Sequence, residues 1–139
     1  SNAPSQLAVP PALTSLEETK AMISPGGRIH EQREAVCNAL DKVDGLSYVR
    51  PQAAFYVFPK LDIERFGITS DERFVFDFLR EQHVLLVRGG GFHWVEPDHF
   101  RIVFLPEAEV LTEAVGRLAE FLKNYRQDHT DQHLLFKHQ

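Results

Sequence analysis

The sequence predicts an α/β fold of the α+β sandwich type, one sheet of about four short strands covered by helices. Three observations carry this. Apolar residues recur at helical spacing in four segments. Four short runs rich in aromatic and β-branched residues lie among them. The resulting order is α-α-β-β-α-β-β-α, and no internal shift of composition divides it into two domains.

Each element has its own warrant. Leu13, Leu16, Ala21, Met22 and Ile23 predict a helix over 12–23, with Thr14 or Ser15 near its start and Pro25-Gly26-Gly27 as the breaker after it. Ile29, Val36, Leu40 and Val43 share one face of a helix over 27–43, and Gly45 follows where a positive φ is favoured. The period then changes to two. "LSYVR" (46–50) alternates, Pro51 interrupts, and "AAFYVFPK" (53–60) reads as a second strand joined to the first by a short turn. "DIERFGITSDER" is polar with one glycine and reads as a loop. The helix over 69–83 has Ser70 as N-cap, Asp71 and Glu72 in its first turn, and Phe74, Phe78 and Leu79 facing inward. "VLLVR" (84–88) is a buried strand, "GGGFHWVEPD" (89–98) a loop, and "FRIVFL" (100–105) the last strand. Glu107 to Tyr125 forms the closing helix, with Val110, Leu111, Ala114, Val115, Leu118, Phe121 and Leu122 on its apolar face. Ser1, Asn2 and Ala3 read as the remnant of an expression tag, 4–126 as the domain, and 127–139 as a tail.

Composition narrows the function. The chain of 139 residues is 43% hydrophobic and 25% charged, enough to bury a core. Its net charge of −5 gives no basic footprint for nucleic acid and no cationic face for a membrane. One cysteine, Cys37, excludes an internal disulfide and points to a reducing, cytoplasmic setting. No signal peptide is visible, and the natural chain is expected to begin upstream of residue 4.

Arg101 is the candidate binding residue. Alternation puts Phe100, Ile102 and Phe104 on one face of the last strand and Arg101, Val103 and Leu105 on the other. By spacing alone, two readings stay open: an arginine that snorkels to solvent or pairs with a surface acid, or a flat fork of donors that clamps an anion. The loop before it, with Gly91, Phe92 and Trp94, is neither a G-x-G-x-x-G nor a P-loop pattern. Its glycines allow close approach of a ligand or simply a pliant turn. His93 and His99 flank that loop, and His129, His133 and His138 lie in the tail without H-E-x-x-H or paired cysteines, so no metal site is expected. No Ser-His-Asp or Cys-His set is legible, and Cys37 beside Val36 reads as a buried thiol.

"RPQAAFYVFPKLD", "VLLVRGGGFHW", "DHFRIVFLPE" and "SPGGRIHEQREAV" occur in the order in which similar motifs occur in class I and II pyridoxal-phosphate aminotransferases of fold type I. From residue 4 to 126 the chain resembles their C-terminal small domain, most of all that of bacterial alanine aminotransferases. The resemblance implies that Arg101 binds the substrate α-carboxylate, and that the Gly91, Phe92 and Trp94 loop helps to shape the pocket. Many members have glycine where this chain has Ala53. The family's Schiff-base lysine sits in a Ser-x-x-Lys-type context that none of Lys20, Lys42, Lys60, Lys123 and Lys137 matches. The resemblance therefore implies that pyridoxal 5'-phosphate serves the full-length enzyme and is not bound by this segment, which has no catalytic residue and is inactive alone. It further implies a homodimer acting on amino acids and 2-oxo acids, alanine with pyruvate and glutamate with 2-oxoglutarate. Two alternatives share the fold: the ligand-sensing domain of a transcription regulator, and a non-catalytic interaction module.

Overall fold

The computed structural model describes residues 2–127. The expected tail therefore lies outside the described residues apart from Gln127, and with it His129, His133, His138 and Lys137. Six helices and five short strands follow one another: α1 (Ala3–Thr14), α2 (Leu16–Ile23), α3 (Arg28–Leu40), β1 (Leu46–Ser47), β2 (Tyr56–Val57), β3 (Lys60–Leu61), α4 (Ile63–Phe66), α5 (Asp71–Gln82), β4 (Val87–Arg88), β5 (Phe100–Val103) and α6 (Ala108–Asn124). A 3₁₀ turn, Gly89–Phe92, joins β4 to the loop before β5.

Mixed helices and strands match the expected fold class, but the sheet differs from the expected single sheet of four strands. Among the described residues there are two antiparallel sheets, β1-β3 and β2-β5-β4, linked by a single bridge between Lys60 and His99. The physical reason lies in "FYVFPKL". Pro59 has no N–H to give to a ladder, so the run expected as one strand divides into β2 and β3. Both halves still run alongside the β5 segment: Phe104 N donates to Phe55 O, Phe100 N to Pro59 O, and Leu61 N to Asp98 O. The runs 46–50 and 53–60 meet only at Ser47 and Lys60, and no short turn joins them. β1 is only two residues long and pairs Leu46 with Leu61 and Ser47 with Lys60.

The N-terminal region departs further. The helix expected over 12–23 is interrupted at Ser15, and a separate helix precedes it from Ala3, a residue assigned to the tag by sequence. α1 contains Pro10 and Pro11, and neither α1 nor α2 buries a residue. The "DIERFG" stretch, expected as loop, makes the one-turn helix α4. Asp62 accepts from Arg65 N at 3.0 Å, and Gly67 closes it at φ +61°.

α3 and α6 pack on each other, and α5 packs on α6 and β4. The core between them and the sheet contains Val36, Cys37, Leu40, Leu118 and five phenylalanines: Phe66, Phe74, Phe78, Phe100 and Phe104. Each buried phenylalanine stabilises the fold by roughly 1.5–3 kcal/mol relative to an exposed one. Two of them, Phe100 and Phe104, come from the β5 segment, so that segment is the best anchored of the strands. Arg28 and Gln32 on α3 secure its end by donating to the Leu105 carbonyl at 2.8 and 3.0 Å. Val110, expected on the buried face of α6, is instead exposed at the rim of a groove.

Ser70 caps α5 as expected, accepting from Arg73 N at 3.2 Å. Gln127, placed in the tail by sequence, is buried beside that cap. Its Oε1 accepts from Thr69 N, Thr69 Oγ1 and Ser70 N at 2.7–2.9 Å, and its Nε2 donates to Ser70 O at 2.9 Å. One amide thereby ties the end of α6 to the start of α5. Gln127→Ala orphans two backbone donors and one carbonyl. It is expected to cost about 2–3 kcal/mol, measured as a lower urea midpoint with an unchanged m-value.

Candidate functional site

The outer face of β2 and β5, opposite the core, carries the candidate site. β2 and β5 pair Tyr56 with Val103 and Val57 with Ile102. Directly opposed residues share a face, so Val57 and Ile102 point into the core while Tyr56 and Val103 point out. Continuing the same register sets Phe58 across from Arg101, and the Lys60–His99 bridge lies on that line. Tyr56, Phe58, His99 and Arg101 therefore line one surface. On the far side of β5, Arg101 pairs with Val87 of β4.

Arg101 lies between two rings. Its guanidinium carbon is 4.3 Å from the centroid of Phe92 and 5.2 Å from that of Tyr56. Among the described residues it makes no hydrogen bond or ion pair, and its buried Nε has no partner. Its side chain is partly exposed, with Nε buried. Arg101 also borders a largely apolar groove of ≈ 560 Å³, whose walls include Leu85, Val87, Val103, Leu105 and Val110.

Of the residues singled out in the loop, Phe92 meets Arg101 directly. Trp94 does not; it packs on His99 at 4.3 Å and edge-on to Phe58 at 5.8 Å. Gly91 has open space where a Cβ would stand, its nearest neighbour being Arg88 Cγ at 3.9 Å. The other two glycines answer to packing. A Cβ on Gly89 would lie 2.7 Å from the His99 carbonyl oxygen, and one on Gly90 would lie 3.0 Å from an Asp71 carboxylate oxygen that accepts the Gly90 N–H at 2.6 Å. Gly89 and Gly90 let this turn close against β5 and α5.

Asp98, unremarked in the sequence, organises the loop. Its side chain is only 6% exposed. Oδ1 accepts from Trp94 Nε1 at 2.8 Å and faces His99 Nδ1 at 2.5 Å, so that nitrogen carries the proton. Lys60 Nζ lies 3.4 Å from Oδ2. His99 in turn stacks on Phe58 at 4.9 Å, and Phe58 meets Phe92 edge-on at 6.3 Å. Tyr56 and Phe58 were legible in principle, since strand parity puts both on the face of Arg101. Asp98 had no such signal.

No group of three or more histidine, cysteine or carboxylate side chains among the described residues is arranged to hold a metal. Cys37 is fully buried in the core, and burial raises its thiol pKa, which leaves it a poor nucleophile.

Burial by itself would raise the Asp98 pKa; the hydrogen bonds from His99 and Trp94, with Lys60 nearby, outweigh it and hold the carboxyl below the usual aspartate range. A folded-state pKa below the unfolded one means stability that is present above the unfolded value of 3.8 and lost as pH falls through the folded value. Asp98→Asn is expected to lower stability at pH 7 by about 2 kcal/mol. The gap to wild type should narrow below about pH 3.8. Urea titrations at pH 7 and pH 3 check both the size and the sign.

The family described as Aminotransferase class I and II matches residues 2–118. A glutamate-pyruvate aminotransferase, AlaA, of Haemophilus influenzae is 47% identical over 126 residues, 91% of this chain and 31% of its own length. An alanine aminotransferase of Mycobacterium tuberculosis is 41% identical over 126 residues, 91% of this chain and 29% of its own. Among solved structures, an aminotransferase from Escherichia coli superposes with a TM-score of 0.77 at 43% identity, covering 78% of this chain and 27% of that one. The alanine aminotransferase of Pyrococcus furiosus gives 0.64 at 41% identity, with 69% and 24% covered. The chain thus spans about a third of the length of the curated relatives it matches. With the family matched over most of its length, and with relatives above 40% identity across 91% of it, the chain belongs to the class I and II aminotransferases.

Proposed function

We propose that this chain is the small-domain part of an alanine (glutamate-pyruvate) aminotransferase, and that Arg101 binds the α-carboxylate of the amino-acid and 2-oxo-acid substrates. The observation that carries the reading is the state of Arg101: partly buried, flanked by rings, and with no carboxylate of its own among the described residues. An arginine that serves the fold is usually paired when it is withdrawn from water. One kept unpaired at the mouth of an apolar groove suits a ligand with a carboxylate and a small apolar side chain, as alanine and pyruvate have. The names of the relatives support the same substrate pair, glutamate with 2-oxoglutarate completing the exchange.

The family implies pyridoxal 5'-phosphate, and the residues described here do not fit it. A lysine that condenses with an aldehyde must be available as a free amine in a shielded site. Lys20, Lys60 and Lys123 are each more than half exposed and each faces a carboxylate, at 2.9, 3.4 and 2.5 Å. Lys42 is exposed at the end of α3. The cofactor, its lysine and its phosphate site are therefore assigned to the part of the enzyme that this chain does not span, and the segment alone is read as inactive. The contribution of this chain is orientation. A bidentate pair fixes the substrate's carboxylate and so limits how its Cα–H bond lies in the site. The working form is read as a homodimer, and the single buried thiol suits a reducing cytoplasm. No helix among the described residues is long and apolar enough to cross a membrane.

In the full-length protein, Arg101→Ala is expected to cost about 2–5 kcal/mol of substrate affinity, roughly 30-fold or more in kcat/KM for alanine and for pyruvate. Cofactor absorbance should remain as in wild type. Arg101→Lys should recover only part of the loss, because a point charge does not reproduce the fork. If Arg101→Ala changes kcat/KM by less than about threefold, the assignment is wrong.

A further inference from the structure

We propose that Phe92 is a positioning residue for Arg101, its ring holding the guanidinium plane so that the terminal nitrogens face an incoming carboxylate. This rests on the carboxylate reading above and adds to it. An arginine side chain has many rotamers and must lose that freedom to bind with a fixed fork. In most proteins an acidic neighbour or a carbonyl fixes it, but each such partner occupies donors. Arg101 has no polar partner among the described residues. Its restraints are two ring faces, Phe92 at 4.3 Å and Tyr56 at 5.2 Å. A ring face attracts the cation through its quadrupole and leaves the in-plane N–H groups free. An anion-binding arginine benefits from this kind of support, since a carboxylate neighbour would compete with the ligand.

Phe92 is not explained as core. Its side is 45% exposed, at the end of a turn built from three glycines. The turn is nevertheless well held. Gly90 N donates to Asp71, His93 N donates to Gly90 O at 3.1 Å, and His93 closes the turn at φ +61°. On its other flank Phe58 meets Phe92 edge-on. The sequence thus maintains a half-exposed aromatic ring over an arginine that lacks a polar partner among the described residues.

The test uses the full-length protein and four variants: Phe92→Leu, Phe92→Tyr, Arg101→Ala and the Phe92→Leu/Arg101→Ala double variant. KM and kcat for alanine, inhibition by an unreactive carboxylate such as acetate, and thermal midpoints are measured for each. Phe92→Leu keeps the apolar bulk and loses the ring face. It should raise KM and the acetate inhibition constant about 3–10-fold, with kcat and the thermal midpoint near wild type. Phe92→Tyr should behave as wild type. In the Arg101→Ala background the Phe92→Leu change should have no further effect on either constant, because its influence passes through Arg101. Wild-type affinity in Phe92→Leu, equal damage from Phe92→Leu and Phe92→Tyr, or an undiminished Phe92→Leu effect in the Arg101→Ala background overturns the positioning role while leaving the carboxylate reading intact. An Arg101→Ala variant with unchanged constants overturns both.

Discussion

The arrangement at this surface depends on one buried carboxylate. Asp98 sits at the end of the loop between β4 and β5, and a charged group there must be met by donors or it destabilises the fold. Trp94, His99 and Lys60 meet it. Those three come from the loop, from the start of the β5 segment and from β3, so satisfying one side chain fixes three pieces of chain. His99 then supports Phe58, Phe58 supports Phe92, and Phe92 covers Arg101. The candidate binding residue has no bond to Asp98, yet its surroundings are set by that residue's need for partners.

The two faces of β5 divide the labour. Inward, Phe100 and Phe104 are fully buried and hold the strand in place through apolar contact. Outward, Arg101 emerges between them in sequence, one residue from the first anchor and three from the second. Strand alternation converts core packing on one side into positional accuracy on the other. Helices α3 and α5 add to this from a distance: Arg28 and Gln32 grip the Leu105 carbonyl, and Asp71 grips the turn that carries Phe92.

What the sequence disclosed was mostly local. Period and capping gave α5 with Ser70, α6 with most of its buried face, and the opposed faces of β5, because each depends on residues a few positions apart. Arg101 as candidate came from the same alternation. The sheet's division at Pro59 was visible as a proline, but its consequence depended on which neighbour the run paired with. Asp98 and Gln127 were hidden for a related reason. Both look like ordinary polar residues at the ends of elements, and both owe their role to partners made by the fold: Lys60 is 38 residues from Asp98 in sequence, and Thr69 is 58 residues from Gln127. No periodic pattern encodes such a pair. The glycine run left two readings open, a ligand's approach or a pliant turn, and only the fold shows that Gly89 and Gly90 accommodate the chain's own backbone and the Asp71 carboxylate.

Arg101 and Asp98 illustrate opposite treatments of charge within a few residues. Asp98 is supplied with donors from all sides, and its ionised form stabilises the fold. Arg101 is supplied with rings and one apolar groove wall, and its buried Nε has no acceptor among the described residues. A buried donor that loses its water and gains no partner costs about 1–3 kcal/mol. The nearby carboxylates are committed elsewhere: Asp98 to His99, Trp94 and Lys60, and Asp71 to Gly90, while Glu72 lies beside Arg88. Nothing in composition forces this, since the chain has more acids than bases. A fold selected for stability alone would give the arginine one of those acids. Under the proposed carboxylate reading, covering the guanidinium with aromatic faces that occupy none of its donors has a cost in stability that the substrate's carboxylate repays on binding.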